Sequence, residues 1–149
     1  MLAIWLVAAV LVLVCILVHY EALRLLDWVV QRLKRLHRLR IVLIVLGCFC
    51  AHVIEVTIFA IGLYVSAIPM GLGMLKGAVG EGFSDYLYLS ITSYTSLGMG
   101  DIYPVGHLRL LIGVEALVGL TLIAWSATFT FLEMKTIWED GNKGVRRKA

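Results

Sequence analysis

Charge is what this sequence has least of. Of its 149 residues only 15% are Asp, Glu, Lys or Arg, whereas 61% are hydrophobic and the mean hydropathy is +0.95. An ordinary soluble domain carries about 25% charged and roughly 45–50% apolar residues, so a water-soluble globule is excluded and the excess must face lipid. Cysteine is scarce too. Cys15, Cys48 and Cys50 all fall in apolar runs, where a thiol behaves as a small packing group. Cys48 and Cys50 stand two apart and point to different helix faces, which favours neither a disulfide nor a metal pair. There is no nucleotide motif, no nucleophile with a base partner and no internal repeat, so neither an enzyme, a cofactor nor a nucleic-acid partner is expected. The first apolar run lacks a basic n-region and a small-x-small cleavage site, and reads as a span rather than a cleaved signal peptide.

What is present is three long apolar runs. Leu2–Val18 has no charge, Ile41–Ile68 has Glu55 alone, and Leu110–Leu132 has Glu115 alone. A bilayer core about 30 Å thick needs roughly 20 apolar residues at 1.5 Å rise each, and in lipid each run must be helical to satisfy its own backbone. Six of the thirteen basic residues lie between runs one and two and five follow run three, leaving Lys76 and Arg109 between runs two and three. The positive-inside rule then puts the N-terminus outside, residues 19–40 and 133–149 in the cytoplasm, and residues 69–109 outside.

The connections carry further signals. Residues 20–40 place Leu23, Leu26, Val29, Val30, Leu33, Leu36 and Leu39 at helical spacing with Arg and Lys between them. This predicts a basic amphipathic helix lying on the inner membrane surface against anionic headgroups. Arg32, Arg35 and Arg38 recur every third residue as gating charges do, but Lys34, His37 and Arg40 make the segment too polar for hydrocarbon. Pro69 and the glycines from Gly71 to Gly82 read as a loop. Ser84 or Asp85 can cap a short helix ending near Tyr94. That helix cannot span, and non-helical chain follows it. Such backbone at membrane depth is tolerated only when buried in protein or lining a water-filled path, so the segment reads as a re-entrant loop beside a pore. In Ser96-Leu97-Gly98-Met99-Gly100-Asp101 the alternating glycines can take φ > 0, which turns successive carbonyls the same way and builds a column of oxygen ligands for a monovalent cation.

Thr95 to Pro104, TSLGMGDIYP, resembles the T-x-G-x-G-D selectivity filter of the tetrameric potassium-channel family, and the preceding LYLSITSY resembles that family's pore helix. The resemblance covers about residues 41–133. It puts spans two and three in the places of the family's outer and inner helices, the first span and the surface helix being extra, so the expected fold is an all-α membrane protein: three transmembrane helices with a re-entrant pore helix and selectivity-filter loop between spans two and three. The segments are an N-terminal helix 1–19, a surface helix 20–40, an outer helix 41–68, a turret and pore helix 69–94, a filter 95–101, an inner helix 108–133 and a short tail 134–149. The resemblance implies a homotetramer that passes dehydrated K+ along the backbone carbonyls of Ser96, Leu97, Gly98 and Met99 up to Gly100, with K+ as permeant ligand and no cofactor. Ser96 stands where the family usually has Thr, and Met99 where it usually has Tyr or Phe, so the packing behind the filter is softer, with Tyr88 and Leu89 the nearest candidates. Asp101 pairs behind the filter, concentrates cations or caps the loop.

Glu55 and Glu115 are the two carboxylates inside spans. Counted along their helices they sit at nearly the same depth, that of the short helix. They are read as supports accepting hydrogen bonds from Thr92, Ser93 or Tyr94, with His52 one turn from Glu55; a proton sensor, or a metal site of His52, Glu55 and Glu115, are the alternatives. Gly119, Ser126 and Thr130 are hinge or gate candidates against a packing role. The expected function is the pore subunit of a small potassium channel of the plasma membrane, fitting a prokaryotic inner membrane. A weakly selective cation channel is the alternative within the class, and a membrane metal-binding or accessory protein the alternative outside it.

Overall fold

The computed structural model describes residues 1–32, 37–80 and 82–146, and the side chains of all of these except 37, 38, 137 and 140–146. In chain order the elements are α1 (Leu2–Arg32), α2 (His37–Ala67), β1 (Gly73–Gly77), α3 (Phe83–Tyr94), β2 (Ile102–Gly106) and α4 (Leu108–Arg146). α1, α2 and α4 are long and apolar enough to cross a membrane. The protein is an all-α membrane protein with three spans, as its apolar runs dictate.

α1 and α2 run antiparallel. Small residues let them approach closely: a Cβ on Gly62 would collide with Leu11, and one on Gly47 with Leu26. The larger core joins Ile4, Ala8 and Cys15 of α1 to Phe59 and Leu63 of α2, Leu89 of α3, and Leu111 and Leu122 of α4. A second core nearer the α1–α2 junction holds Leu23, Val30, Ile44 and Cys48, with Phe129 against it.

That second core changes the reading of residues 20–40. α1 continues without a break through the expected boundary at 19 and 20, as far as Arg32. Leu23 and Val30 are buried against Ile44 and Cys48 rather than turned to headgroups, so protein covers the first part of the apolar stripe that lipid was expected to cover, while Leu39 at its far end is exposed. Leu33, Lys34, Arg35 and Leu36 lie outside the described residues. Arg40 is also buried, and its Nη2 lies 3.4 Å from Glu133 Oε2 on α4. At the other end of the chain α4 continues helical through most of the expected tail, to Arg146.

The glycine-rich stretch after α2 is not simply a loop. β1 pairs antiparallel with β2 in the register Gly73↔Gly106, Leu75↔Pro104 and Gly77↔Ile102. The hairpin ties the chain leading into α3 to the chain leaving Asp101, and Pro104 is accommodated because a two-stranded ladder has only edges. α3 also starts differently from expectation. Its N-cap is Gly82 in extended conformation with no side-chain cap bond, and Ser84 and Asp85 fall inside the helix.

Candidate functional site

The 12 residues of α3 amount to about 18 Å of helix, too little to cross a bilayer. Polar side chains on the neighbouring spans hold it in place. The Ser90 hydroxyl, with its single proton, lies within hydrogen-bond reach of both the Val56 carbonyl, at 2.8 Å, and the Glu115 carboxyl group, and Tyr94, one turn on, donates to the Glu55 carboxylate. The two intramembrane carboxylates therefore grip adjacent turns of one short helix. Thr92 does not bond to either carboxylate: its hydroxyl donates to the Leu89 carbonyl at 3.0 Å. Glu115 is fully buried, and its second oxygen, Oε2, has no partner among the described residues.

α4 passes so close to the end of α3 that only glycine fits. A Cβ on Gly119 would overlap the Tyr94 carbonyl oxygen and stand 2.9 Å from both its carbonyl carbon and its ring Cγ. Gly119 thus serves close packing, and α4 is uninterrupted through it. Thr130 back-bonds to the Ser126 carbonyl at 2.8 Å, one turn earlier on α4.

Beyond Tyr94 the chain leaves the helix and reverses its handedness residue by residue. φ is positive at Ser96 (58°), Gly98 (57°) and Gly100 (82°), and Leu97 and Met99 between them are not in that region. Serine pays a conformational cost there of about 1 kcal/mol that glycine does not. The segment is anchored from behind: the carbonyl of Thr92 accepts the N–H groups of Leu97 at 2.8 Å and Gly98 at 3.1 Å. Leu97 and Met99 are 65% and 62% exposed, and a Cβ at Gly98 or Gly100 would meet nothing within 4 Å. A single chain encloses nothing here; one side of the strand is open.

At the far end of the segment the Tyr88 hydroxyl donates to Asp101, 3.1 Å from each carboxylate oxygen, and the Asp101 carbonyl accepts the Ala78 N–H at 2.9 Å. Tyr88 is thus joined to Asp101 rather than spent on Met99. Desolvation, and then the hydrogen bond and charge of Asp101, hold its phenol pKa above the usual value.

Behind Tyr94 lies a buried polar ring. His19 Nδ1 is 2.8 Å from Glu55 Oε1, and His52 Nδ1 is 3.1 Å from Glu55 Oε2 and 2.9 Å from the Tyr94 hydroxyl. On the far side Ser126 Oγ sits 3.4 Å from His19 Nε2 and 3.1 Å from His52 Nε2. One side chain each from α1, α3 and α4 thus meets two from α2. The expectation for His52 and Glu55 was local, across one turn of α2. Their partners His19 and Ser126 come from distant sequence, and His19 was not a candidate because a lone histidine near the end of an apolar run carries no signal. The alternative metal-ligand grouping of His52, Glu55 and Glu115 is corrected accordingly: Glu115 belongs to Ser90, and His19 takes its place.

A family model described as an ion channel matches residues 41–135, more than half of the chain, taking in α2, the hairpin, α3, the segment after it and most of α4's apolar length. No curated protein and no solved structure gives a significant match. The match begins after α1, so His19 reaches the Glu55 carboxylate from outside the matched segment. A short helix held at membrane depth, followed by a backbone of alternating hand between two spans, is the local structure a pore needs, and the chain belongs to the ion channel family.

Proposed function

We propose that this protein is the pore-forming subunit of a potassium-selective channel that assembles as a homotetramer in the plasma membrane. The carrying observation is the alternation of positive φ at Ser96, Gly98 and Gly100 in a strand pinned from behind by the Thr92 carbonyl. Alternating hand is what lets consecutive carbonyls face one axis and replace the hydration shell of a monovalent cation. One strand has one wall. Four copies about a cyclic axis close it, bury Leu97 and Met99, and aim the negative C-terminal ends of four α3 helices at the ion path. The basic residues gathered around the α1–α2 junction and in the last part of the chain favour a cytoplasmic position for those ends, beside anionic headgroups, with the N-terminus outside. Ions move passively, and the reading includes no catalytic chemistry.

Met99 supports a second reading, a weakly selective monovalent cation channel. It is a flexible side chain that donates no hydrogen bond, at a position whose packing sets the width of the strand. Reversal potentials of the reconstituted protein separate the two. With a tenfold K+ gradient balanced by Na+, a potassium-selective pore reverses about 59 mV from zero, since a univalent tenfold gradient corresponds to that potential. A weakly selective pore reverses near zero. Absence of current from a correctly assembled protein refutes both. Mass measurement of the purified oligomer tests the four-chain assembly.

A further inference from the structure

We propose that His19, His52 and Glu55 form a binding site for a divalent transition-metal ion of the zinc type, one per chain, which clamps α1 and α2 to the C-terminal end of α3. The ligand atoms of these three residues all lie within 4.8 Å of one another. A four-coordinate ion with bonds of about 2.0–2.2 Å holds its ligand atoms roughly 3.4 Å apart, so small side-chain adjustments suffice. Two imidazoles and one carboxylate select zinc-like ions over K+, Mg2+ or Ca2+, which take oxygen ligands, and a three-ligand set leaves a fourth position for water.

The surrounding hydrogen bonds suit an ion as well. Both Nδ1 atoms face Glu55, and His52 Nδ1 also lies 2.9 Å from the Tyr94 hydroxyl. Among the described residues Ser126 Oγ bridges the two Nε2 atoms, at 3.4 and 3.1 Å. With a metal on the two Nδ1 atoms, both Nε2 atoms carry hydrogen and Ser126 Oγ accepts both through its two lone pairs. This is the outer-sphere arrangement that orients metal-bound histidines. Tyr94 then donates to the Glu55 oxygen the ion leaves free.

The site is not wholly enclosed: His19 and Glu55 are fully buried, but the His52 side chain is 19% exposed and lines an apolar cavity of about 370 Å³ between α2, α3 and α4 that also reaches Tyr94 and Thr95. A metal ion held by the three residues stiffens the support of Tyr94, two residues before Ser96, and so acts on the conducting segment.

The test uses the full chain, purified as its oligomer, stripped with chelator and dialysed against Zn2+. The expected result is one zinc per chain by elemental analysis, with Co2+ in its place giving the absorption of a four-coordinate ion. His52→Ala loses both. Ser126→Ala keeps all three ligands and weakens zinc binding about 10–100-fold, the usual cost of removing an outer-sphere partner. Zn2+ alters the current of the unmodified protein and leaves that of His52→Ala unchanged. Metal content no higher than in His52→Ala overturns the proposal and leaves the ring as a hydrogen-bonded brace, and undiminished binding in Ser126→Ala overturns it too. Metal content is read without current, so failure of the potassium reading is distinguishable from failure of this one.

Discussion

Gly119→Ala probes the contact on which the end of α3 and the segment after it rest. In an otherwise unconstrained helix the change is favourable by about 1 kcal/mol. Here the new methyl would overlap the Tyr94 carbonyl oxygen and come within 2.9 Å of the carbonyl carbon, whereas ordinary contact begins near 3.4 Å. The obstacle is backbone, so α3 or α4 must shift by half an ångström or more, and overpacking of this kind costs about 1–3 kcal/mol. Gly113, on the same helix, is the control, because a Cβ there meets nothing within 4 Å. Gly113→Ala is expected to match or exceed the unmodified protein in thermal midpoint, and Gly119→Ala to fall below Gly113→Ala by about 1–3 kcal/mol in free energy. The displacement falls on Tyr94, two residues before Ser96, so Gly119→Ala is also expected to reduce current or shift the reversal potential. Thermal unfolding of the purified oligomer and bilayer recording read the two effects. A Gly119→Ala protein as stable as Gly113→Ala, with unaltered current, would refute the close-approach reasoning.

Two further outcomes follow from paired groups. Arg40→Met leaves Glu133 unpaired where the two side chains are only 8% and 18% exposed, and is expected to destabilise by up to about 3–5 kcal/mol, whereas Arg40→Met with Glu133→Leu recovers most of that loss; additive losses in thermal unfolding would show that the pair is not coupled. The Tyr88 phenol, held above its usual 10.0 by desolvation and by Asp101, favours its neutral form in the folded protein; its contribution is intact below pH 10 and is lost as pH rises through the elevated value, so alkaline loss of current that vanishes in Tyr88→Phe is expected, and an identical alkaline profile in the two proteins would refute it.

The spans were legible from sequence because lipid imposes a one-dimensional rule: a run of apolar residues long enough to cross must be a helix. The segment after α3 was legible for a related reason. Glycine at alternate positions is a local conformational requirement, and the structure places positive φ at Gly98 and Gly100. Ser96, the third residue of that alternation, carried no such mark. The hairpin was missed because β1 and β2 are separated by the whole of α3 and the strand after it, and their pairing is a long-range event that glycine-rich composition conceals. The surface helix was placed against lipid because an apolar stripe does not say whether lipid or protein covers it, and here Ile44, Cys48 and Phe129 do.

The scarcity of charge by itself determined that the chain spans a membrane three times, and the two carboxylates inside the spans were identifiable because hydrocarbon tolerates a carboxyl group only where something holds it. Which groups hold them was decided by tertiary structure alone. Glu55 lies between His19, 36 residues before it, and Tyr94, 39 after it; Glu115 belongs to Ser90; and Ser126 closes the ring from a fourth helix. Those partners share no period or spacing in sequence. They meet because α1, α3 and α4 pack around α2, bringing together the few side chains that cannot remain unpaired in lipid.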